Sequence, residues 1–562
     1  MSTRNLRNAF RCIALLAPAG CLAGFLAAFC ANTSAQSTRA DAEKDPVLKA
    51  MLEELNRSKD HLQLPGFEKP FFIEFRIEDF DSYETRAEYG ATENSQHNRQ
   101  RLARVTVRVG NYKTDSSGGR GDGAAHLAAI DNDPIALRSA LWAAADQAYK
   151  SALDAYAGKQ AALKQLQTPP QVDDFSQEKP IRSLSDPLKL DLDEDSWQQR
   201  MARISGLYRT DPAVKADQRD VQHSSASFRA RVTITRLVNS EGTIVRKSAS
   251  EYQESIAIGA QAPDGMRLER SHSSSGVSLH DLDSEEEFRQ QTIKLITSLG
   301  DLRRAPVVEE EYQGPVLLSA DASADTLEAL LGNAVIATRP PLGTEARTNG
   351  PFASSFHARV LPDFLDVVDD PGLKSYNGKG LLGAYDADDQ GVPEQPVNLV
   401  TEGRLENYLV GREPVRDFLQ SDGHARSAPL IPPFPSIGVL KITAKNGLSD
   451  EDLYRKLLEM ARKRGLKFVY YVEAMGGKLS PRLLYRITPD GKRELVRGAV
   501  LDDLDYRALR SEVAAAGKDL YLENRFGDVS ATVLAPALLF NEATIRRANE
   551  KNDKLPFYPP PE

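Results

Sequence analysis

Histidine is the first side chain to consider for acid–base or metal chemistry, because its pKa lies near neutrality and its ring binds divalent metals. No two of the eight histidines are separated by the roughly three to five residues at which one helix presents two ligands to zinc. The eight are His61, His97, His126, His223, His272, His280, His357 and His424. The histidine pattern therefore predicts no zinc site held by one helix.

Other common catalytic patterns are missing as well. The chain has no Gly-x-Ser-x-Gly nucleophile turn and no phosphate-binding loop ending in Gly-Lys-Ser/Thr. Its three cysteines are Cys12, Cys21 and Cys30, so each lies close to the N-terminus. Any thiol or thiolate chemistry would therefore have to come from the first 35 residues.

Those first residues have the three regions of a secretory signal peptide. Arg4, Arg7 and Arg11 precede an apolar run that extends to about Ala31, and small residues lead to a cleavage site after Ala35. We expect cleavage there and export to the periplasm or cell envelope. An uncleaved membrane anchor and a lipoprotein site at Cys21 are the alternatives. After cleavage, no other segment is apolar and long enough to span a membrane.

Removal of the signal peptide leaves an acidic chain without cysteine. The formal net charge of the full chain is −9, and loss of the three arginines makes it −12. Nucleic-acid binding is therefore not expected, because it requires a basic surface. No disulfide and no cysteine-ligated metal can form in the mature chain.

The elements that must position any site are predicted by the hydrophobic pattern. In the N-terminal half, helical spacing over 40–60 and a proline-initiated helix over 133–167 accompany alternating strands, which include 71–80, 102–109, 228–238 and 243–258. The C-terminal half is predicted to be mostly strands, with helices over 323–334 and after Ser449. The fold class expected is α+β, with a helix-covered N-terminal sheet and a mainly antiparallel C-terminal half.

These patterns divide the chain into four parts. We expect a signal peptide over 1–35, an N-terminal α+β domain over 36–305, a C-terminal β-rich domain over 306–545 and a proline-rich tail over 546–562. Within the N-terminal domain, residues 169–220 begin polar, acidic and proline-bearing and are predicted to form a linker-like excursion.

A series of short motifs in the C-terminal half resembles the TldD/PmbA family, peptidases once called modulators of DNA gyrase. Each motif is weak alone, but together they follow the order in which the family has them. They are Val368-Asp369-Asp370-Pro371, Asp388-Asp389-Gln390-Gly391-Val392-Pro393, Leu399-Val400-Thr401-Glu402-Gly403-Arg404-Leu405, Gly423-His424-Ala425-Arg426, Ala516-Gly517-Lys518-Asp519-Leu520 and the strand from Ser530 to Leu539. In the N-terminal half, Asn239-Ser240-Glu241-Gly242 is similar to the family's Asn-Ser-x-Gly turn.

The resemblance implies a zinc-peptidase fold whose active members carry His-Glu-x-x-x-His on a helix and a later cysteine. In the matching helix, residues 325–333, one register places Leu327 and Gly332 at the histidine positions, and the next places Glu328 and Asn333 there. Neither supplies a histidine, and the mature chain has no cysteine. The chain is thus similar to the PmbA-type branch, which lacks the zinc motif, and we expect no zinc and no other cofactor. Glu328 is the one candidate for a remaining acid or base.

By the same resemblance, we expect a non-catalytic, peptidase-like protein. It would bind an extended peptide or unfolded protein, or pair with a catalytic TldD-like subunit as a dimer. The residues proposed for a peptide groove are Asp388, Gly391, His424 and Arg426.

Two other functions remain open at this point. One is an active hydrolase with a rebuilt site, in which His357 or His424 acts with Asp369 or Asp388. The other is a structural or adhesion protein of the cell envelope, suggested by the signal peptide, the acidic surface and the proline-rich tail.

Overall fold

The computed structural model describes residues 41–118, 123–167, 170–215 and 217–549. The predicted signal peptide and most of the predicted tail lie outside these ranges. No helix in the described ranges is long and apolar enough to cross a membrane.

The first half of the chain forms a seven-stranded sheet covered by helices. The strand order is β3-β2-β1-β5-β6-β4, and β7 pairs with β6; all pairs are antiparallel except β4 with β6. The strands are β1 Pro70–Glu88, β2 Ala91–Val109, β3 Ala124–Ala128, β4 Arg182–Leu184, β5 His223–Asn239, β6 Ile244–Gln261 and β7 Arg267–Gly276. The helices are α1 Pro46–His61, α2 Pro134–Leu163, α3 Glu194–Ser205, α4 Leu207–Thr210 and α5 Glu285–Arg304.

Both faces of this sheet are covered by other parts of the chain. Val105, Val107 and Val109 alternate along β2 and are fully buried under α1 and α2, as their spacing predicts. Arg104 and Arg108, on the opposite face of β2, are also buried, because the C-terminal half covers that face. The sheet is therefore sandwiched between its own helices and the second half of the chain.

The second half forms an eleven-stranded, mostly antiparallel sheet. The order is β13-β12-β9-β16-β22-β8-β17-β18-β19, and β20 and β21 also pair with β22. Its strands are β8 Tyr312–Leu318, β9 Leu365–Asp369, β12 Val397–Thr401, β13 Arg404–Leu405, β16 Val439–Ala444, β17 Val469–Gly476, β18 Ser480–Ile487, β19 Arg493–Val496, β20 Ala499–Asp502, β21 Val513–Arg525 and β22 Ala531–Arg547. Two short hairpins join β10 Ser375–Tyr376 to β11 Lys379–Gly380 and β14 Ala425–Arg426 to β15 Phe434–Pro435. The helices are α6 Ala320–Leu331, α7 Asp450–Lys463 and α8 Tyr506–Ser511.

The α+β class predicted from the sequence is confirmed. The structure also gives the bounds of the individual elements. Ser449 caps α7 through a hydrogen bond from the backbone N–H of Asp452, as predicted. The C-terminal half is predicted to be mostly strands, but the residues just before β9 form turns and bends. The segment predicted to be linker-like contains α3, whose Met201 and Ile204 are buried in the core below the first sheet.

Candidate functional site

The turn from Asp388 to Gly391 is held by the Asp388 carboxylate. This carboxylate is 1% exposed and accepts hydrogen bonds from the backbone N–H groups of Gln390 at 2.9 Å, Val392 at 2.8 Å and Ala425 at 3.1 Å. Burial raises its pKa to about 6. Asp388 therefore ties its own turn to the loop that carries His424 and Arg426.

The neighbouring Asp389 ties the same turn to the first sheet. Its carboxylate lies 2.7 Å from the Lys247 ammonium on β6 and accepts a hydrogen bond from the Ser427 N–H at 2.7 Å. Burial alone would raise the pKa of Asp389, but the positive charges of Lys247, Arg76 and Arg426 hold it near 2. Asp389 is thus a permanent anion that links the two halves of the chain.

Gly391 lies where this turn meets the hairpin between β5 and β6. Its φ is +74°, and a Cβ atom there would lie 2.9 Å from Thr243 Cγ2 and 3.2 Å from Leu237 Cδ2. The hairpin turn is itself fixed by Asn239, whose side-chain oxygen accepts hydrogen bonds from three backbone N–H groups. The turn at Gly391 and the hairpin turn at Asn239 are about 150 residues apart in sequence. They pack so closely that only a glycine fits at position 391 without a shift of its neighbours.

His424 lies between two carboxylates and is fully buried. Its Nε2 is 3.2 Å from Asp369 Oδ1 and its Nδ1 is 3.1 Å from Asp422 Oδ1. Burial alone would lower the pKa of His424, but the two carboxylates raise it to about 10. A ring that stays protonated at neutral pH cannot accept a proton from water, so this pair does not provide a general base.

His357, the other histidine of the rebuilt-site hypothesis, has a different partner. It is exposed on a loop, and its Nδ1 lies 2.7 Å from Glu406. It is not hydrogen-bonded to Asp369 or Asp388. The structure therefore brings His424 to Asp369 but leaves His357 apart from the acids with which it was paired.

Arg426, the last of the four groove candidates, contacts an aromatic ring and has an unpaired nitrogen. Its guanidinium carbon lies 4.4 Å from the centre of the Tyr385 ring, a cation–π contact. Its buried Nη1 has no hydrogen-bond partner among the described residues. Arg426 is half-buried on β14, behind the loop that ends in Phe434 and Pro435.

A groove with a volume of about 760 Å³ separates the first sheet and α2 from two proline-rich loops, 337–342 and 432–435. Its walls are largely apolar, with Phe72, Phe175 and Phe434 among them. Gln390 of the Asp388–Gly391 turn lines the groove, whereas none of the four candidate residues does. Contact of Asp388, Gly391, His424 or Arg426 with a peptide stays a prediction.

The groove is also lined by a buried carboxylate, Glu74, which the sequence analysis did not identify. Glu74 lies there almost fully buried, and burial raises its pKa to about 7 against the charges of Arg412 and Arg76. Arg412 is 1% exposed; its Nη2 donates to the Ser176 carbonyl at 2.7 Å and lies 2.8 Å from Glu241. The sequence signal is that Phe72, Glu74 and Arg76 lie two residues apart on the predicted strand 71–80 and therefore share one face.

A second cavity, of about 700 Å³, lies beside α6 and is here named the α6 cavity. It is lined by β7, α6, the β17–β18 hairpin and β21. Glu328 is here: the Arg525 guanidinium lies 2.9 Å from its carboxylate, contacts Asp325 and is 3.7 Å from Glu523. Burial raises the pKa of Glu328, although Arg525 opposes this, and raises that of Glu523 to about 7.

The residues of the α6 cavity do not fit zinc. In one register the ligand positions are Leu327, which is buried in the core, and Gly332, which has no side chain. In the other they are Glu328, paired with Arg525, and Asn333. A guanidinium among the carboxylates also repels a divalent cation. Within the described ranges, no group of three or more His, Cys, Asp or Glu side chains is arranged to hold a metal.

Part of the chain matches the model of a known family. Residues 311–547 match the model of the PmbA/TldA metallopeptidase C-terminal domain. No curated protein matches the chain by sequence.

Solved structures match over nearly the whole described chain. A protein described as a modulator of a DNA gyrase from Thermotoga maritima aligns with a TM-score of 0.60 and 12% identity, over 88% of this chain and 99% of the other. TldE from Thermococcus kodakarensis aligns with a TM-score of 0.59 and 15% identity, over 88% and 100%. A similar gyrase-modulator structure from Bacteroides thetaiotaomicron gives 0.51 and 12%, over 88% and 98%. At these identities the likeness shows a shared fold.

Proposed function

The chain belongs to the TldD/PmbA family through its C-terminal half, and from this membership we propose that it is a peptidase-like protein that does not itself hydrolyse peptide bonds. We place it in the branch without the zinc motif. It is exported to the periplasm or cell envelope, binds an extended peptide or unfolded protein, and works as a dimer with a catalytic relative.

One observation carries the non-catalytic part of the proposal. Where active relatives carry zinc ligands on a helix, α6 supplies Asp325 and Glu328 to the Arg525 guanidinium. Zinc hydrolysis requires about three protein ligands and an open position for water. In this cavity α6 supplies no histidine or cysteine, and its Asp325 and Glu328 are already bound by Arg525, so the zinc donor set is missing.

The peptide-binding part is supported by the groove beside the first sheet. Its volume and its apolar aromatic lining are typical of pockets that bury a ligand segment. Phe434 is 42% exposed at its edge and so is available to a ligand. The groove walls come from both halves of the chain, and the ionic contacts of Asp389 and Arg412 hold these walls together.

We expect purified protein to contain far less than one zinc ion per chain and to leave an unfolded, labelled casein intact. The reason is the missing donor set, and the measurement is elemental analysis together with a fluorescence assay of hydrolysis. The same protein should bind a labelled extended peptide capped at both ends, measured by anisotropy. Phe434→Ala should weaken that binding roughly tenfold, as loss of an aromatic anchor does.

The matched control is Phe67→Ala, because Phe67 is 54% exposed but does not line the groove. It should leave peptide binding unchanged. Stoichiometric zinc together with hydrolysis that a chelator abolishes would contradict the proposal. Equal binding by the Phe434 and Phe67 variants would remove the groove from it.

Export has its own test. We expect protein recovered from the periplasmic fraction of a Gram-negative expression host to begin at Gln36, because cleavage follows Ala35. N-terminal sequencing makes the measurement, and Ala35→Leu, which fills the small-residue position before the cut, is the control that should block cleavage. A cytoplasmic protein that begins at its first residues would show the export proposal to be wrong.

A further inference from the structure

The α6 cavity contains a largely buried arginine that makes no direct ion pair with a described residue. Arg270 on β7 is 9% exposed and lines the cavity, and its Nε donates to Ser298 Oγ at 3.2 Å. Its two terminal nitrogens make no hydrogen bond or ion pair with any residue in the described part of the chain. Burial lowers the pKa of Arg270, the direction expected for a cation removed from water.

The terminal nitrogens of Arg270 are not among the fully buried side-chain atoms without a partner, so they remain accessible from the cavity that the residue lines. A cation that is largely removed from water gains from a partner that restores its hydrogen bonds. A carboxylate matches the planar fork of a guanidinium with two parallel hydrogen bonds. Arg270 is therefore suited to pair with an anionic group that has the geometry of a carboxylate.

Four carboxylates also line this cavity. Asp321, on the first turn of α6, has no hydrogen bond or ion pair from its carboxylate to another described residue. Asp325, Glu328 and Glu523 share the single guanidinium of Arg525. The cavity lining also contains Arg482, so Asp321 is the carboxylate left to meet a cationic group, and an ammonium can donate to it and to a neighbouring carboxylate at once.

We propose that the α6 cavity binds a short peptide with two free ends, whose α-carboxylate pairs with Arg270 and whose α-ammonium is held by Asp321 and the neighbouring carboxylates. The volume of about 700 Å³ lies in the range of small-ligand pockets. The proposal rests on the absence of zinc from this cavity under the proposed function. It adds that the former metal position is a binding site for free peptide ends.

Calorimetric titration of the full chain with trialanine tests this proposal. Trialanine should bind, and its C-terminal amide and its N-acetyl derivative should each bind at least tenfold more weakly, because each loses a charge-assisted contact. Arg270→Gln should weaken the binding of trialanine by a similar factor. It should not weaken the binding of the amide further, since the two changes remove the same contact.

Arg267→Gln is the matched control, because Arg267 lies on the same strand, is exposed and does not line the cavity. It should leave trialanine affinity unchanged. Should the Arg270 variant fail to fold, the comparison of free and capped tripeptides on the unaltered chain still decides. Equal binding of free and capped forms, or no binding of trialanine, overturns this inference. Binding of a fully capped extended peptide in the groove would then leave the proposed function standing, whereas stoichiometric zinc would overturn both.

Discussion

Replacing Asp369 by alanine is expected to lower the free energy of unfolding by about 3–5 kcal/mol. Asp369 is fully buried at the end of β9. Its carboxylate accepts hydrogen bonds from the backbone N–H groups of Gly438 and Val439 at 3.1 Å and from His424 at 3.2 Å. Alanine would leave two buried donors unpaired and a buried imidazolium with one carboxylate. The measurement is the midpoint and slope of urea unfolding.

The effect of Asp369→Ala should depend on pH. The folded pKa of His424 is raised to about 10, so the stability that this pairing contributes is complete below the unfolded pKa near 6.5 and is lost as pH rises towards 10. The difference between the original chain and the variant should therefore be largest at about pH 6 and should narrow in alkali. Asp366→Ala is the control, because Asp366 lies on the same strand but is partly exposed. A loss below about 1 kcal/mol for Asp369→Ala would contradict the assignment.

Arg412→Met is expected to cost about 3–5 kcal/mol, because it breaks a buried charge cluster that spans both halves of the chain. Arg412 packs 4.0 Å from the centre of the Phe175 ring and pairs with Glu241 and the Ser176 carbonyl. Methionine keeps much of the volume but leaves these acceptors without a partner. Urea unfolding measures the loss, and limited proteolysis should show cleavage between the two sheets before either unfolds.

The loss caused by Arg412→Met should be greater at about pH 8 than at about pH 5. Burial raises the folded pKa of Glu74 to about 7, so stability is lost as pH rises from the unfolded pKa of about 4.3 to that value, and the loss is complete above it. Removal of Arg412 raises this pKa further and leaves the anion less compensated. Arg359→Met, which removes an exposed arginine 3.6 Å from Asp363, is the control and should have little effect at either pH. Equal losses at both values would mean that Glu74 is not part of this cluster.

The sequence was sufficient to predict the fold because its local signals agree with the final structure. The alternation of Val105, Val107 and Val109, the cap at Ser449 and the turn at Asn239 are each decided by neighbours within a few residues. The resemblance to the family added only the expectation of a peptidase-type fold, and the strand order of the second sheet comes from the structure. These features need no knowledge of distant contacts, which explains their reliability.

The candidate sites were less predictable because they depend on residues that are distant in sequence. Arg270, Asp321 and Arg525 share one cavity, yet they belong to a strand, a helix and a strand in different parts of the chain. Glu74 and Arg412 face inward because the second half of the chain covers a sheet face that alternation alone assigns to solvent. Periodicity identifies the two faces of a strand, but it does not show what is packed against each face.

The position of β22 in the second sheet determines how much of the chain must be present before that sheet can be completed. β22 begins at Ala531 and pairs with β8, β16, β20 and β21, so it lies inside the sheet rather than at its edge. A chain truncated before residue 531 therefore keeps every strand of the first sheet but has an open seam in the second, the kind of exposed edge that chaperones and proteases recognise.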